Sequence, residues 1–318
     1  PVFNNEIIDY LDIKPSGCYV DLTLGGGGHS SKILSGLSGG TLVAFDLDKQ
    51  ALQNYASTLA GQVNEDGKIL SVQIENNKVY LVNDNFANLE QVLQSLNLSQ
   101  VDAIIADLGW STEQLARVPG LSFKNPEAKL DMRFTAQSQV TAADLLGGLH
   151  AGELAKLFMQ NADLSPAEAK KLSQAVEGFR EKKKIETTGD LLQIIDSAFA
   201  TAINTHKYDG RKRFSGGKIV RNMPARVFQA LRIAVNFELS TLQSMLEQSL
   251  STLSAGGLLQ VITFHSAEDR LVAQYFRGLI SAAKAENLYS QDFLLPSVAE
   301  LSQNLRARSA RLRGIKKL

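Results

Sequence analysis

Tyr19-Val20-Asp21-Leu22-Thr23-Leu24-Gly25-Gly26-Gly27-Gly28-His29-Ser30 runs from apolar residues into four consecutive glycines. Its first five residues form a short apolar run bounded by glycine, which reads as a buried strand. The glycines that follow permit a tight turn with bare backbone, and Ser30–Leu37 then has helical spacing. A strand, a glycine turn and a helix in that order place the turn at the carboxyl end of a parallel sheet, where ligands bind.

Working outward, the same alternation repeats. Thr41–Phe45 reads as a strand ending in Asp46-Leu47-Asp48, followed by a helix over Gln50–Leu59. Val79–Val82 and Val101–Asp107 read as further strands, with a helix at Leu89–Leu96 between them. Such alternation predicts an α/β fold built on a doubly wound, mostly parallel sheet. From Gln114 to about Gly217 only helical periodicity is legible. Ser165-Pro166-Ala167-Glu168 has the residues of an N-terminal capping box opening a helix to about Arg180, and Thr187-Thr188-Gly189-Asp190 is a similar start. Lys207–Lys218 reads as a Gly- and base-rich loop. Phe228–Leu253 reads as one long amphipathic helix stopped by Ala255-Gly256-Gly257, and Leu258–Phe264 as a fifth strand. The expectation is a discontinuous sheet domain, residues 1–115 and 216–318, carrying an inserted all-α domain at 116–215.

Composition narrows the class. At 318 residues, 44% hydrophobic and 21% charged, the chain has the balance of a folded globular protein. No apolar run approaches the ~18 residues of a membrane span, so no membrane partner is expected. The single cysteine, Cys18, excludes a disulfide framework, and four scattered histidines give no reason to expect a metal. A reducing compartment, the cytoplasm, is the expected location. Net charge is zero, yet residues 1–114 hold 14 acids against 5 bases. Residues 205–232 hold 8 bases and 1 acid, and 270–318 hold 9 bases and 3 acids. Segregation of this kind points to a basic face for a polyanion.

Four groups fall at strand ends. The turn Gly25–His29 exposes backbone to a ligand. Asp46, 21 residues after Gly25, is placed to accept from ribose hydroxyls. Phe86 can stack on an adenine, and Asp107 ends the fourth strand. A nicotinamide dinucleotide would require a third glycine where Ser30 stands. S-adenosylmethionine has no pyrophosphate, and its zwitterionic tail suits a glycine turn flanked by acids.

Longer motifs carry a resemblance. Tyr19–Ser30 resembles the Y-V-D-x-T-x-G-x-G-G-H-S motif of the bacterial small-subunit (16S) rRNA cytosine-N4 methyltransferases, the RsmH or MraW family. Asp107–Gln114 resembles that family's D-L-G-x-S-S-x-Q. Further matches are Gly120–Phe123, Leu130–Arg133, Arg226–Asn236 with Glu238, Phe264–Arg270 and Asn304–Arg313. The resemblance implies a Rossmann-like class I methyltransferase domain with a helical, substrate-recognising insert, and S-adenosylmethionine as methyl donor. By position it implies donor contacts at Gly27, Gly28, His29, Asp46, Phe86, Asp107 and Gln114. It also implies rRNA processing, with small-subunit rRNA or the assembled subunit as partner. Trp110, Arg133, Arg226, Arg232, Asn236, Arg306 and Arg308 are the RNA-binding candidates. Oligomeric state is open, a homodimer among the alternatives.

The departures gather on the presumed substrate side. An arginine of the family's turn is Gly26 here, and the arginine of R-G-F-S-F is Pro119. The second serine of D-L-G-x-S-S is Thr112, Asn222-Met223-Pro224-Ala225-Arg226 replaces His-Pro-Ala-Thr-Arg, and Leu305 replaces a proline. A divergent member acting on another RNA or amine therefore stands as an alternative, as does a non-catalytic donor-binding assembly module. Methylating an exocyclic amine needs placement rather than a covalent adduct. Asp107, Ser111 and His265 are the catalytic candidates, with no base assigned. Cys18 precedes the first strand, away from the crevice, and reads as a core residue rather than a nucleophile.

Overall fold

A computed structural model describes residues 1–109, 118–134, 138–199, 213–215, 218–220 and 223–318, with backbone only at 213–215, 218–220, 305 and 306. The strands of the main sheet are β1 (Cys18–Asp21), β2 (Thr41–Phe45), β3 (Gln62–Asp66), β4 (Ile69–Ile74), β5 (Asn77–Val82), β6 (Val101–Asp107), β7 (Leu253–Thr263), β8 (Ala285–Asn287) and β9 (Arg311–Lys317). They lie in the order β8-β9-β7-β6-β1-β2-β5-β4-β3. The central five, β5-β2-β1-β6-β7, are mutually parallel, and the outer strands run antiparallel. This is a mixed, mostly parallel α/β sheet with helices on both faces, as the sequence predicts.

Alternating side chains of the central strands build two cores. Tyr19, Leu42, Leu81 and Ile105 face one side, packed with Phe3, Ile7 and Ile33 from the helices Asn4–Leu11 and Gly28–Ser35. Val20, Val43, Ile104 and Val261 face the other, with Leu242 and Val272 from the helices Glu238–Thr252 and Ser266–Ser281. Burial on both faces is why these strands read as continuous apolar runs rather than alternating ones.

By packing, the chain divides into Pro1–Gly109 with Leu239–Leu318, and Trp110–Glu238. The second unit holds the helices Ala142–Gly148, Ala151–Ala162, Pro166–Arg180, Thr188–Phe199 and Met223–Val235. The last of these lies past the expected insert boundary at 215. Its apolar face carries it into the helical core, with Val227, Phe228 and Leu231 buried among Leu154, Phe158 and Leu191. The capping box at Ser165 and Glu168 is formed as expected, and Thr187 with Asp190 makes the same reciprocal pair.

Three expectations are corrected. The helix expected over Phe228–Leu253 is two helices, Met223–Val235 and Glu238–Thr252. Phe237 between them takes a left-handed conformation, φ 53°, that cannot continue a right-handed helix. Asn236 beside it accepts from the Phe134 N–H and donates to the Met132 carbonyl, which ties the break in place. The glycines at 256 and 257 do not stop a helix. Residues 254–257 bulge within β7, between the pairs Val101–Leu253 and Ala103–Leu258. Residues 213–215 and 218–220, expected to be loop, pair as short antiparallel strands.

Candidate functional site

The glycine turn leaves β1 and enters the helix Gly28–Ser35. Leu24 donates to the Phe45 carbonyl at 2.8 Å, and Gly27 donates to Leu24 at 2.7 Å. Its four glycines have different reasons. A Cβ on Gly27, which sits at φ 74°, would lie 2.2 Å from the Tyr55 ring. One on Gly28 would lie 2.5 Å from the Pro1 ring. Those two are demanded by the protein's own packing. At Gly26 no atom would come within 4 Å, and at Gly25 only the Thr23 carbonyl would, at 3.9 Å. Bare, accessible backbone is therefore confined to Gly25 and Gly26.

Three carboxylates ring this turn. Asp21, buried at the end of β1, accepts from the Ser30 hydroxyl at 2.7 Å and from the Thr23 N–H at 3.0 Å, joining strand end to helix start. Asp46 accepts from the Gly25 N–H and the Asp48 N–H, each at 2.8 Å. Glycine turn and second strand end are thus in direct contact, and each Asp46 oxygen keeps a lone pair for a ligand hydroxyl. The Asp107 N–H donates to Thr23 Oγ1 at 2.7 Å, while its carboxylate oxygen Oδ1 is buried with no hydrogen-bond partner.

Burial pushes the carboxyls of Asp21 and Asp46 above the usual range. Asp107 is pushed up to about 7, by burial first and then by the charge of Asp21. Charges this close and this dry are held at a cost, and one that a bound cation would relieve. Among the described residues, no lysine or arginine side chain bonds to Asp21, Asp46 or Asp107. An orphaned carboxylate oxygen, bare glycine backbone and an excess of negative charge fit a ligand that brings hydroxyls at one end and positive charge at the other. The donor implied by the sequence has that distribution, a ribose and a cationic sulfonium with an ammonium tail.

His29 is buried and does not face a ligand by its Nε2, which lies 3.0 Å from the Val2 carbonyl. Burial lowers its imidazole to about 4, so the ring is neutral at physiological pH. Phe86 opens a 3-10 turn, Phe86–Asn88, after β5, with Asn85 accepting from the Ala87 N–H. Gln114, Ser111 and Trp110 lie outside the described residues.

His265 caps the helix Ser266–Ser281. Its ring accepts from the Glu268 N–H at 3.3 Å, and its Nε2 lies 3.0 Å from Glu268 Oε1. The fold thus uses it to start a helix. The basic candidates of the helical unit are likewise engaged. Arg133 forms a bidentate pair with Asp131, and Arg232 one with Glu238. Arg226 donates to the carbonyls of Ala162 and Asp163, closing the helix Ala151–Ala162. Asn236 is tied to Met132 and Phe134. Arg308 is exposed, and the side chain of Arg306 is outside the described set. Farther along, Arg311 and Arg313 both hold Asp269 and stack on Phe293, anchoring β9 to the start of the helix Ser266–Ser281.

Sequence reading did not single out Asp21, Thr23 or Glu300. Asp21 stood inside the quoted motif, and its place one strand end from Asp107 was the available signal. Glu300 had none, since it comes from a short helix near the far end of the chain, Val298–Gln303.

Cys18 sits at the opposite, amino end of β1, and burial pushes its thiol up to about 12. Among the described residues no helix is long and apolar enough to cross a membrane.

A solved rRNA methylase from Streptococcus thermophilus is 15% identical, covers 98% of this chain and 95% of its own, and has a TM-score of 0.42. The ribosomal RNA small subunit methyltransferase H of Dictyoglomus thermophilum is 38% identical over 315 residues, 98% of this chain and 94% of the relative. The MraW methylase family matches residues 1–318. With that match running from the first residue to the last, this chain belongs to the MraW methylase family.

Proposed function

We propose that this chain transfers a methyl group from S-adenosylmethionine to the exocyclic N4 amine of a cytosine in small-subunit rRNA. The observation that carries the donor assignment is the carboxylate oxygen of Asp107, buried and unpartnered beside a bare glycine turn. Family membership and the relative's activity on small-subunit rRNA support the substrate.

The donor supplies an electrophilic methyl group on a sulfonium, open to in-line displacement. Asp46 would accept from the ribose, Gly25 and Gly26 would let the ligand lie on the backbone, and Phe86 would cover the adenine. Asp107 in its ionised form would face the cationic end. Oxygens of the segment 107–112 would hold an N–H of the target amine and direct its lone pair at the methyl group; the S–CH3 bond would break as the N–CH3 bond forms, leaving the thioether, and the amine would lose a proton to solvent. Rate acceleration of this kind is proximity and orientation, which can supply several orders of magnitude without a covalent intermediate.

RNA recognition falls to the helical unit and to the basic segment 207–218. Arg133, Arg226, Arg232 and Asn236 support it as its frame, each being tied to protein groups. That engagement, with the substrate-side motif departures, favours one second reading, a different RNA or amine as acceptor. Incubating the purified chain with labelled S-adenosylmethionine and small subunits lacking the mark, then digesting to nucleosides, separates them. N4-methylcytidine in the digest is the expected result. Label in another nucleoside would favour the second reading, and bound donor without transfer would leave a non-catalytic assembly module.

A further inference from the structure

The first three residues lie across the glycine turn and are pinned at several points. Pro1 packs where a side chain on Gly28 would sit, the Val2 carbonyl meets His29, and the Phe3 N–H donates to Glu300 Oε1 at 2.8 Å. Phe3 is fully buried and left-handed, φ 54°, a conformation a bulky residue holds only when its surroundings enforce it. Glu300 is thus fixed by one oxygen from a helix whose Ser297 cap sets its direction. Its other oxygen, Oε2, is buried with no partner. Asn4 Oδ1, one residue beyond the pinned Phe3, is a second orphaned acceptor, and Asp107 Oδ1 a third. Through the first three residues Glu300 therefore stands beside Gly28 and His29, where the helix leaves the glycine turn, and its charge adds to that felt by Asp107. Buried acceptors without donors are rare in folded proteins and each calls for a reason. The two carboxylate oxygens have the same complement, a compact cationic group with several N–H donors.

We propose that Glu300 is a donor-binding residue, its oxygen Oε2 accepting from the α-ammonium group of the methyl donor beside Asp107, while Oε1 stays on the backbone of Phe3. The assignment rests on the methyltransferase reading above and extends it to a residue from the far end of the chain. An ammonium carries several donors and a positive charge, so it matches carboxylate oxygens that lack a donor better than a neutral group would. The C-terminal helix Val298–Gln303 then completes the donor pocket.

The test is calorimetric binding of S-adenosylhomocysteine, and of its analogue lacking the α-amino group, to the full chain and to Glu300→Gln. Glutamine keeps an acceptor for the Phe3 N–H, so the ligand-free melting midpoint should stay within about 2 °C. Loss of one charge-assisted hydrogen bond should weaken S-adenosylhomocysteine by about tenfold to a hundredfold. Affinity for the deaminated analogue should be unchanged. Equal loss for both ligands, or no loss for either, overturns the role of Glu300 alone. A wild-type chain that binds neither ligand overturns it together with the methyltransferase reading. Ammonium-dependent binding without methyl transfer to RNA removes the function and leaves Glu300 in place.

Discussion

Asp107→Asn should make the ligand-free protein more stable, and by an amount that grows with pH. The folded carboxyl titrates near 7 against an ordinary value of 3.8. Below pH 3.8 both folded and unfolded chains hold the proton, so the residue contributes no pH dependence. Between there and pH 7 the folded chain holds a proton that the unfolded chain has released, so stability falls as pH rises. Above pH 7 the penalty is complete. A gap of about three units at 1.36 kcal/mol each sets its upper limit at about 4 kcal/mol, and solvent reaching the part-exposed residue reduces it to about 2–4 kcal/mol. Asparagine is close in shape to the protonated acid and stays neutral, so the two proteins should melt alike near pH 4. Their difference should then widen by up to about 1.4 kcal/mol per pH unit and level off above pH 7. Thermal melts from pH 4 to pH 8.5 without donor measure it, with about 2 °C expected per kcal/mol. A variant difference that is flat across this range, or an asparagine protein less stable at pH 8, would refute the reasoning.

Three further outcomes follow from the same geometry. Gly27→Ala should destabilise by about 2 kcal/mol or more, since it adds a clash with Tyr55 to a left-handed backbone, whereas Gly26→Ala should change the melting midpoint by no more than about 2 °C. Cys18→Ser should retain methyl transfer, and the native thiol should resist alkylation in the folded chain at pH 8, because burial holds it protonated; rapid labelling would contradict this. Replacing the bases of 207–218 with serine should weaken RNA binding and flatten its dependence on salt, as phosphate contacts require; an unchanged slope in a titration at two salt concentrations would exclude that segment.

The central sheet was legible because its signals are local. A strand buried on both faces announces itself as a short apolar run, and five such runs became β1, β2, β5, β6 and β7. The hairpin β3–β4 was missed because its first strand is an exposed edge, Gln62–Asp66, with no apolar face to give it a period. The helix expected through Phe237 was misjudged for a related reason. Its periodicity continues across the break, and only Asn236 meeting residues some hundred positions earlier ends it.

By itself the chain's order of residues determined a strand, a glycine turn and acids at successive strand ends, because backbone conformation and burial period act over a few residues. Tertiary structure alone decided what each side chain faces. It turned His265 into a helix cap, gave Arg226 and Arg232 to the frame of the helical unit, and joined Arg311 and Arg313 to Asp269. It also brought Glu300 to the first residues of the chain and within the field of Asp107. A charge acts on whatever lies a few ångströms away through space, and that distance is not written in the spacing along the chain.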